Sequence, residues 1–147
     1  MSEAAIYSEN KQRYSDQEGN EFLRARAFGS VLANGDVVIY ATADTSTSRF
    51  SVTRTTSADN FLVAGVAAEA ITSGSYGMIQ IAGVHSAVKI DGTTTAVTIG
   101  DRLATGTVTA KANLMKTTTV VGGCLGVSLA IVTGGSDSTY SVLIDPR

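Results

Sequence analysis

The sequence predicts an all-β protein: a small antiparallel β-barrel or sandwich carrying an extended N-terminal arm. Three observations lead there. From Phe28 onward the chain is built of short apolar runs rich in Val and Thr, which suit a half-buried pleated backbone. Gly-containing turn pairs punctuate those runs at Asn34-Gly35, Asp91-Gly92 and Gly134-Gly135. Alternation around the turns, as in Val97 and Ile99 or Val142 and Ile144, has the two-residue period of a strand.

Each element follows from its own residues. SVLANGDVVIYATA reads as a hairpin turning at Asn34-Gly35, and HSAVKIDGTTTAVTI as a second turning at Asp91-Gly92. GGCLGVSLAIVTGGSDSTYSVLIDP supplies a further strand pair around Gly134-Gly135. The polar run 43–60 reads as a loop or an edge strand. Between these lies VAGVAAEAITSGSYGMIQIAGV, almost without charge. FLVAGVAA (61–68) is expected to be a buried strand whose small residues permit close backbone approach, and MIQIAGV (78–84) a second strand. A helix over 66–72 is the rival, since VAAEAIT holds good helix formers, but seven residues without a cap make a poor one.

A faint internal echo runs through the same region. Gly35-Asp36 recurs as Gly100-Asp101, and Gly65-Val66 as Gly126-Val127, at nearly equal offsets. Two similar sheet halves filling one barrel would produce it.

Residues 1–27 differ from everything after them. They hold five acidic and four basic residues and no sustained apolar period. The segment reads either as a loosely attached tail or as an arm that orders on a neighbouring subunit. In the second case its apolar points Ile6, Tyr7 and Tyr14, with Phe22 and Arg24 at its root, are the candidate contacts to a neighbouring subunit. Residues 28–147 form the barrel or sandwich domain.

Composition excludes several classes of function. At 147 residues the chain suits one domain with a real core. Only 16% of it is charged, against roughly 25% for an average soluble domain. The net charge of −2 and the scattered basic residues exclude the basic stripe that a nucleic acid needs. Cys124 is the one cysteine, so no internal disulfide forms. The start MSEAAIYSENKQR lacks the pattern of a signal peptide, and no apolar stretch reaches the roughly 18 residues of a spanning helix. The expectation is a soluble protein made in a cytoplasm, with no membrane partner.

The sequence offers no catalytic, cofactor or metal site. His85 is the one histidine, and neither Val84 nor Ser86 gives it a partner for base catalysis. Cys124 sits in an apolar run with no nearby cation, the setting of a buried structural thiol. Gly122, Gly123 and Gly126 match no phosphate-loop spacing and read as a bulge or a close crossing. Asp36, Asp44, Asp59, Asp91 and Asp101 sit at turns, where carboxylates bond nearby N–H groups. Tyr40, Phe50, Phe61 and Tyr76 lack interleaved basic residues and read as core or interface. An uncharged β domain of this kind is suited to assembly, because partners cover its sheet faces and edges.

NGDVVIYATA, FLVAGVAAEAITSGSYGMIQIAGV, IGDRLATG, GCLGVSLA and YSVLID, taken in order, resemble the small capsid cement, or decoration, proteins of tailed bacteriophages. The resemblance spans roughly residues 28–145. It implies an all-β fold, attachment to the exterior of an icosahedral head through the major capsid protein, and no catalytic activity or cofactor. Symmetry favours self-association as a homotrimer at local three-fold positions, with a dimer as the close rival. The polar run 43–60 and the arm 1–27 fall outside the shared pattern. The alternative function is a phage tail or fibre component, or a glycan-binding β module whose contacts come from the Thr-rich run STSRFSVTRTTS.

Overall fold

The computed structural model describes residues 13–44, 50–56, 60, 62–91, 96–106, 108–115, 123–133 and 138–146. Within them lie β1 (Arg13–Ser15), β2 (Glu21–Ala27), β3 (Val37–Tyr40), β4 (Ser51–Arg54) and β5 (Val63–Ala67). They continue with β6 (Tyr76–Ile90), β7 (Arg102–Thr105), β8 (Ala112–Leu114), β9 (Cys124–Ser128) and β10 (Ser138–Ile144). The described residues contain no helix, so the all-β expectation holds and the rival helix over 66–72 is absent.

The strands close into two rings. In the first, β2 pairs parallel with β4, β4 with β3, β3 with β5, β5 with β6, and β6 returns to β2. In the second, β6 pairs parallel with β8, β8 with β7, β7 with β9, β9 with β10, and β10 returns to β6. Closure removes the exposed edges that an open sheet would leave. β6 serves both rings: its first half closes the first and its second half opens the second. At 15 residues it reaches about 50 Å, long enough for both tasks.

The internal echo is therefore structural. Leu32 bridges Ile71 in the first ring, and Val97 bridges Val132 in the second, 65 and 61 residues further on. Gly35 N–H donates to the Ala67 carbonyl and Gly100 N–H to the Ser128 carbonyl, both at 2.9 Å. Asp36 and Asp101 accept from the Ala33 and Thr98 N–H groups, both at 2.8 Å. The two halves do not fill one common barrel, as the sequence suggested; each closes its own ring, because β6 runs on through Gly83 instead of ending there.

Small residues find their reason in the first ring's interior. Ala25, Ala27, Ala64 and Ala67 line it beside Leu32, Val38, Val52, Ile71 and Ile79. A ring of five strands is narrow, and small residues leave room inside it for the larger ones. At Gly77 a Cβ would stand 2.5 Å from the Ile71 side chain. The second cluster fills the other ring with Val88, Ile90, Val97, Leu103, Ala112, Leu125, Val132, Val142 and Ile144. Val37, Val63 and Val66 of the first ring join that second cluster, so they weld the two rings together.

Several local expectations change. At Asn34-Gly35 the turn is present, with Asp36 N–H donating to Ala33 at 3.0 Å, but its flanks do not pair. Leu32 goes to Ile71, while β3 goes to β4 and β5. Gly35 is small because its missing Cβ would lie 2.0 Å from the Ala87 carbonyl oxygen. Val88 pairs with Tyr140, not with the run after Asp91, and Val97 pairs with Val132. β9 and β10 do pair antiparallel, as expected, while Gly134-Gly135 lies outside the described residues. The run 43–60 contains β4, an internal strand held between β2 and β3. The expected arm 1–27 divides: Glu21–Ala27 is β2, with Leu23, Ala25 and Ala27 buried in the first ring.

Candidate contact surface

β1 pairs with β2, itself a strand of the first ring, in a hairpin with Tyr14 opposite Phe22 and Arg13 opposite Leu23. An Arg13–Glu21 ion pair crosses it diagonally. The turn is built on Asp16, whose Oδ1 accepts the N–H groups of Glu18 and Asn20 at 2.9 and 2.8 Å. Its Oδ2 accepts Asn20 Nδ2 at 2.8 Å. That side-chain bond from Asn20, with the backbone N–H groups, holds the Asp16 carboxyl below its usual value of 3.8. Asn20 Oδ1 in turn accepts from Val84 N–H at 3.0 Å and Gln80 Nε2 at 3.4 Å. The hairpin is thus pinned to β6 where the two rings meet. Gly83 allows it, since a Cβ there would lie 2.1 Å from Asn20 Oδ1.

Alternation on β2 sends Leu23, Ala25 and Ala27 inward and Phe22, Arg24 and Arg26 outward. Tyr14 shares that outer face by its register with Phe22. Arg24 is exposed and lies 5.3 Å from the centre of the Tyr76 ring, a cation–π contact that orders it. Arg26 donates to the Gly74 carbonyl at 3.2 Å and meets Asp44 at 3.5 Å. Of the five contact residues expected from sequence, Tyr14, Phe22 and Arg24 come together on one face. Ile6 and Tyr7 lie outside the described residues.

The other candidates resolve individually. His85 is buried; its Nδ1 accepts Ala87 N–H at 3.1 Å. Burial lowers its pKa below 6.5, opposed by a bond to the Ala67 backbone. Cys124 is half-buried, with Sγ 3.5 Å from the Gly126 carbonyl. Asp101 accepts the N–H and hydroxyl of Thr98, the turn role expected of it. Asp36 does more: fully buried, its carboxylate meets Arg54 Nε at 3.2 Å and the Lys89 ammonium. Sequence reasoning missed that ion cluster, because its members stand 18 and 53 residues from Asp36. It also missed the Asp16–Asn20 turn, although D-x-x-G-N carries the signal. Among the described residues, no three or more His, Cys, Asp or Glu gather where they could hold a metal ion. No described helix is long and apolar enough to cross a membrane.

No protein-family model matches the chain, and no curated protein matches it. Among solved structures, the chain is similar in fold to the head fibre gp8.5 N base of bacteriophage phi29, at a TM-score of 0.52 and 17% identity. The superposition covers 86% of this chain and 96% of that one. At this identity the likeness is one of fold.

Proposed function

We propose that this chain is a structural protein of a phage virion that seats on the exterior of an icosahedral head and transforms no molecule. The observation that carries the reading is the fold shared with a phage head fibre base along nearly the whole of both chains. In this reading the outer face of Tyr14 and Phe22 meets the major capsid protein. Bridging contacts that exist only in the mature lattice stabilise that lattice by linkage. Self-association as a trimer or a dimer repeats a modest affinity at each symmetric position. The protein is made in the host cytoplasm and joins the head after expansion of the shell.

The name of the structural neighbour favours a second reading, in which the two-ring body is the head-bound base of a fibre. Both readings put the chain on the head, and one experiment tests them together. The full chain is mixed with expanded capsids lacking it, sedimented, and imaged. Regular density on the head supports the proposal, and thin projections from that density select the fibre base. Absence of co-sedimentation, or binding to tails instead, overturns both.

A further inference from the structure

Each ring turns one row of side chains away from its own interior, and the two rows meet different fates. In the first ring the row is Val37, Val66 and Gln80, in register across β3, β5 and β6, and all three are buried. The second ring is what covers Val37 and Val66, through the cluster they share with Val88, Ile90 and Ala112. Polar contacts complete the seal. Val37 N–H donates to the Ala110 carbonyl at 2.9 Å, and Lys89 N–H to the Gly35 carbonyl at 3.0 Å. The Lys89 ammonium meets the Asp36 carboxylate.

The corresponding row of the second ring is Arg102, Val127 and Leu143, in the same register and extended to Val84. Leu143 is 40% exposed and Val84 50%. A groove of about 260 Å³ lies open here, lined by Arg102, Cys124, Gly126, Val127 and Asp145. Around Gly100, in the place of Gly35, nothing among the described residues stands within 4 Å of where a Cβ would be. The surface that buries itself between rings in the first half is left bare in the second by the described residues.

We infer that this bare face docks the first ring of a second copy of the chain, head to tail. The complement is present on the first ring at matching positions. The parallel rungs Ala27–Val52 and Ile90–Ala112 correspond, which puts Arg26 in the place of Lys89 and Phe50 in the place of Ala110. Phe50 is 46% exposed. The Arg26 side chain is 35% exposed, and Arg24 beside it is held outward over Tyr76. The charges also complement one another. The second-ring face carries Asp101 and Asp145 against Arg102, and the first-ring edge Arg24 and Arg26 against Asp44. Arg26 facing Asp101 repeats Lys89 facing Asp36.

The contact between copies is weaker than the contact within one. Arg26 N–H already donates to the Phe50 carbonyl at 2.9 Å, so it has no counterpart of the backbone bond from Lys89 to Gly35. Side chains alone form the interface, and assembly depends on concentration. A heterologous contact of this kind closes into a ring or runs on as a filament. The inference goes beyond the virion role and stands or falls without it.

The test uses two variants of the full chain at exposed positions, Leu143→Glu on the bare face and Phe50→Glu on the complement. Sedimentation velocity follows each from micromolar to millimolar concentration, with circular dichroism confirming that both stay folded. Wild type is expected to form species larger than a dimer, and each variant alone to associate at least tenfold more weakly. An equimolar mixture of the two restores one intact interface and gives a dimer. A wild type that stays monomeric throughout overturns the inference. So does a Phe50→Glu protein that still dimerises while Leu143→Glu does not, because that pattern marks two bare faces meeting each other.

Discussion

Lys89 reaches from β6 across the boundary between the rings to the carboxylate of Asp36, which Arg54 Nε meets from β4 at 3.2 Å. Asp36 is fully buried, whereas the side chains of Lys89 and Arg54 remain 34% and 35% exposed. Removing one partner of a fully buried pair costs about 3–5 kcal/mol, chiefly through the charge left behind. Here the abandoned cations can turn to water, so Asp36→Asn is expected to cost less, about 2 kcal/mol. Asp101→Asn, at the matching position of the second ring, loses only a turn bond and is expected to cost about 1 kcal/mol or less. Urea unfolding of the two variants measures the difference, and equal losses would show that Asp36 contributes nothing across the boundary.

Gly65 and Gly126 hold matching positions on β5 and β9, and each lies against the backbone of the next strand. A Cβ at Gly65 would stand 2.2 Å from the Gln80 carbonyl oxygen, and one at Gly126 2.0 Å from that of Leu143. Backbone cannot swing aside as a flexible side chain does. Ala at either position is therefore expected to cost about 3 kcal/mol or more, or to prevent folding. Thermal melts check it, and a change of under one degree in either variant would contradict the strand spacing.

His85 makes stability depend on pH. Burial lowers its folded pKa below the ordinary 6.5, so on acidification the unfolded chain takes up a proton before the folded one does. Its stabilisation is complete above pH 6.5 and is lost as pH falls below that value toward the folded pKa. One proton gives a slope of at most about 1.4 kcal/mol per pH unit. His85→Gln is expected to remove this slope just below pH 6.5 in denaturant titrations, leaving the carboxylates to act at lower pH. An unchanged slope would assign it to other groups.

Tyr14 and Phe22 lie opposite each other on the outer face of the β1–β2 hairpin, away from the buried Leu23. If that face meets a capsid, the double change Tyr14→Ser and Phe22→Ser lowers capsid occupancy while leaving the melting midpoint within a few degrees. Binding isotherms on expanded heads read the occupancy. Full occupancy by the double variant would move the contact elsewhere on the molecule.

Local chemistry was legible in the sequence, and long-range pairing was not. The Val63–Val84 stretch reads correctly as strands with small residues, because Ala64, Gly65 and Ala67 state how little room the ring interior has. The echo of Gly35-Asp36 in Gly100-Asp101 gave the duplication. Whether the halves share a barrel or close separately turns on β6 running through Gly83, a residue that looks like a strand end until Asn20 is seen occupying the space of its Cβ. Turn chemistry at Asn34-Gly35 specified a turn but not what pairs beyond it. Leu32 finds its partner at Ile71, a choice set by which faces must be buried. On the contact surface, the apolar points Tyr14 and Phe22 stood out in a polar segment, whereas the bare row of Val84, Val127 and Leu143 looks like any buried strand residues until its neighbours are placed.

The two rings are expected to unfold as one unit. They share β6, and Val37, Val63 and Val66 of the first ring belong to the apolar cluster of the second. Neither ring can open without exposing surface that the other buries. Val66→Ala removes two methyl equivalents from that common cluster, which costs about 2 kcal/mol including the cavity left behind. Because the residue belongs to both rings, the loss should be felt on each side of the boundary. Native-state hydrogen exchange read on peptides from β3 and β9 is expected to show the same drop in opening free energy. A drop confined to β3 would mean that the rings open independently, and that β6 joins them without coupling them.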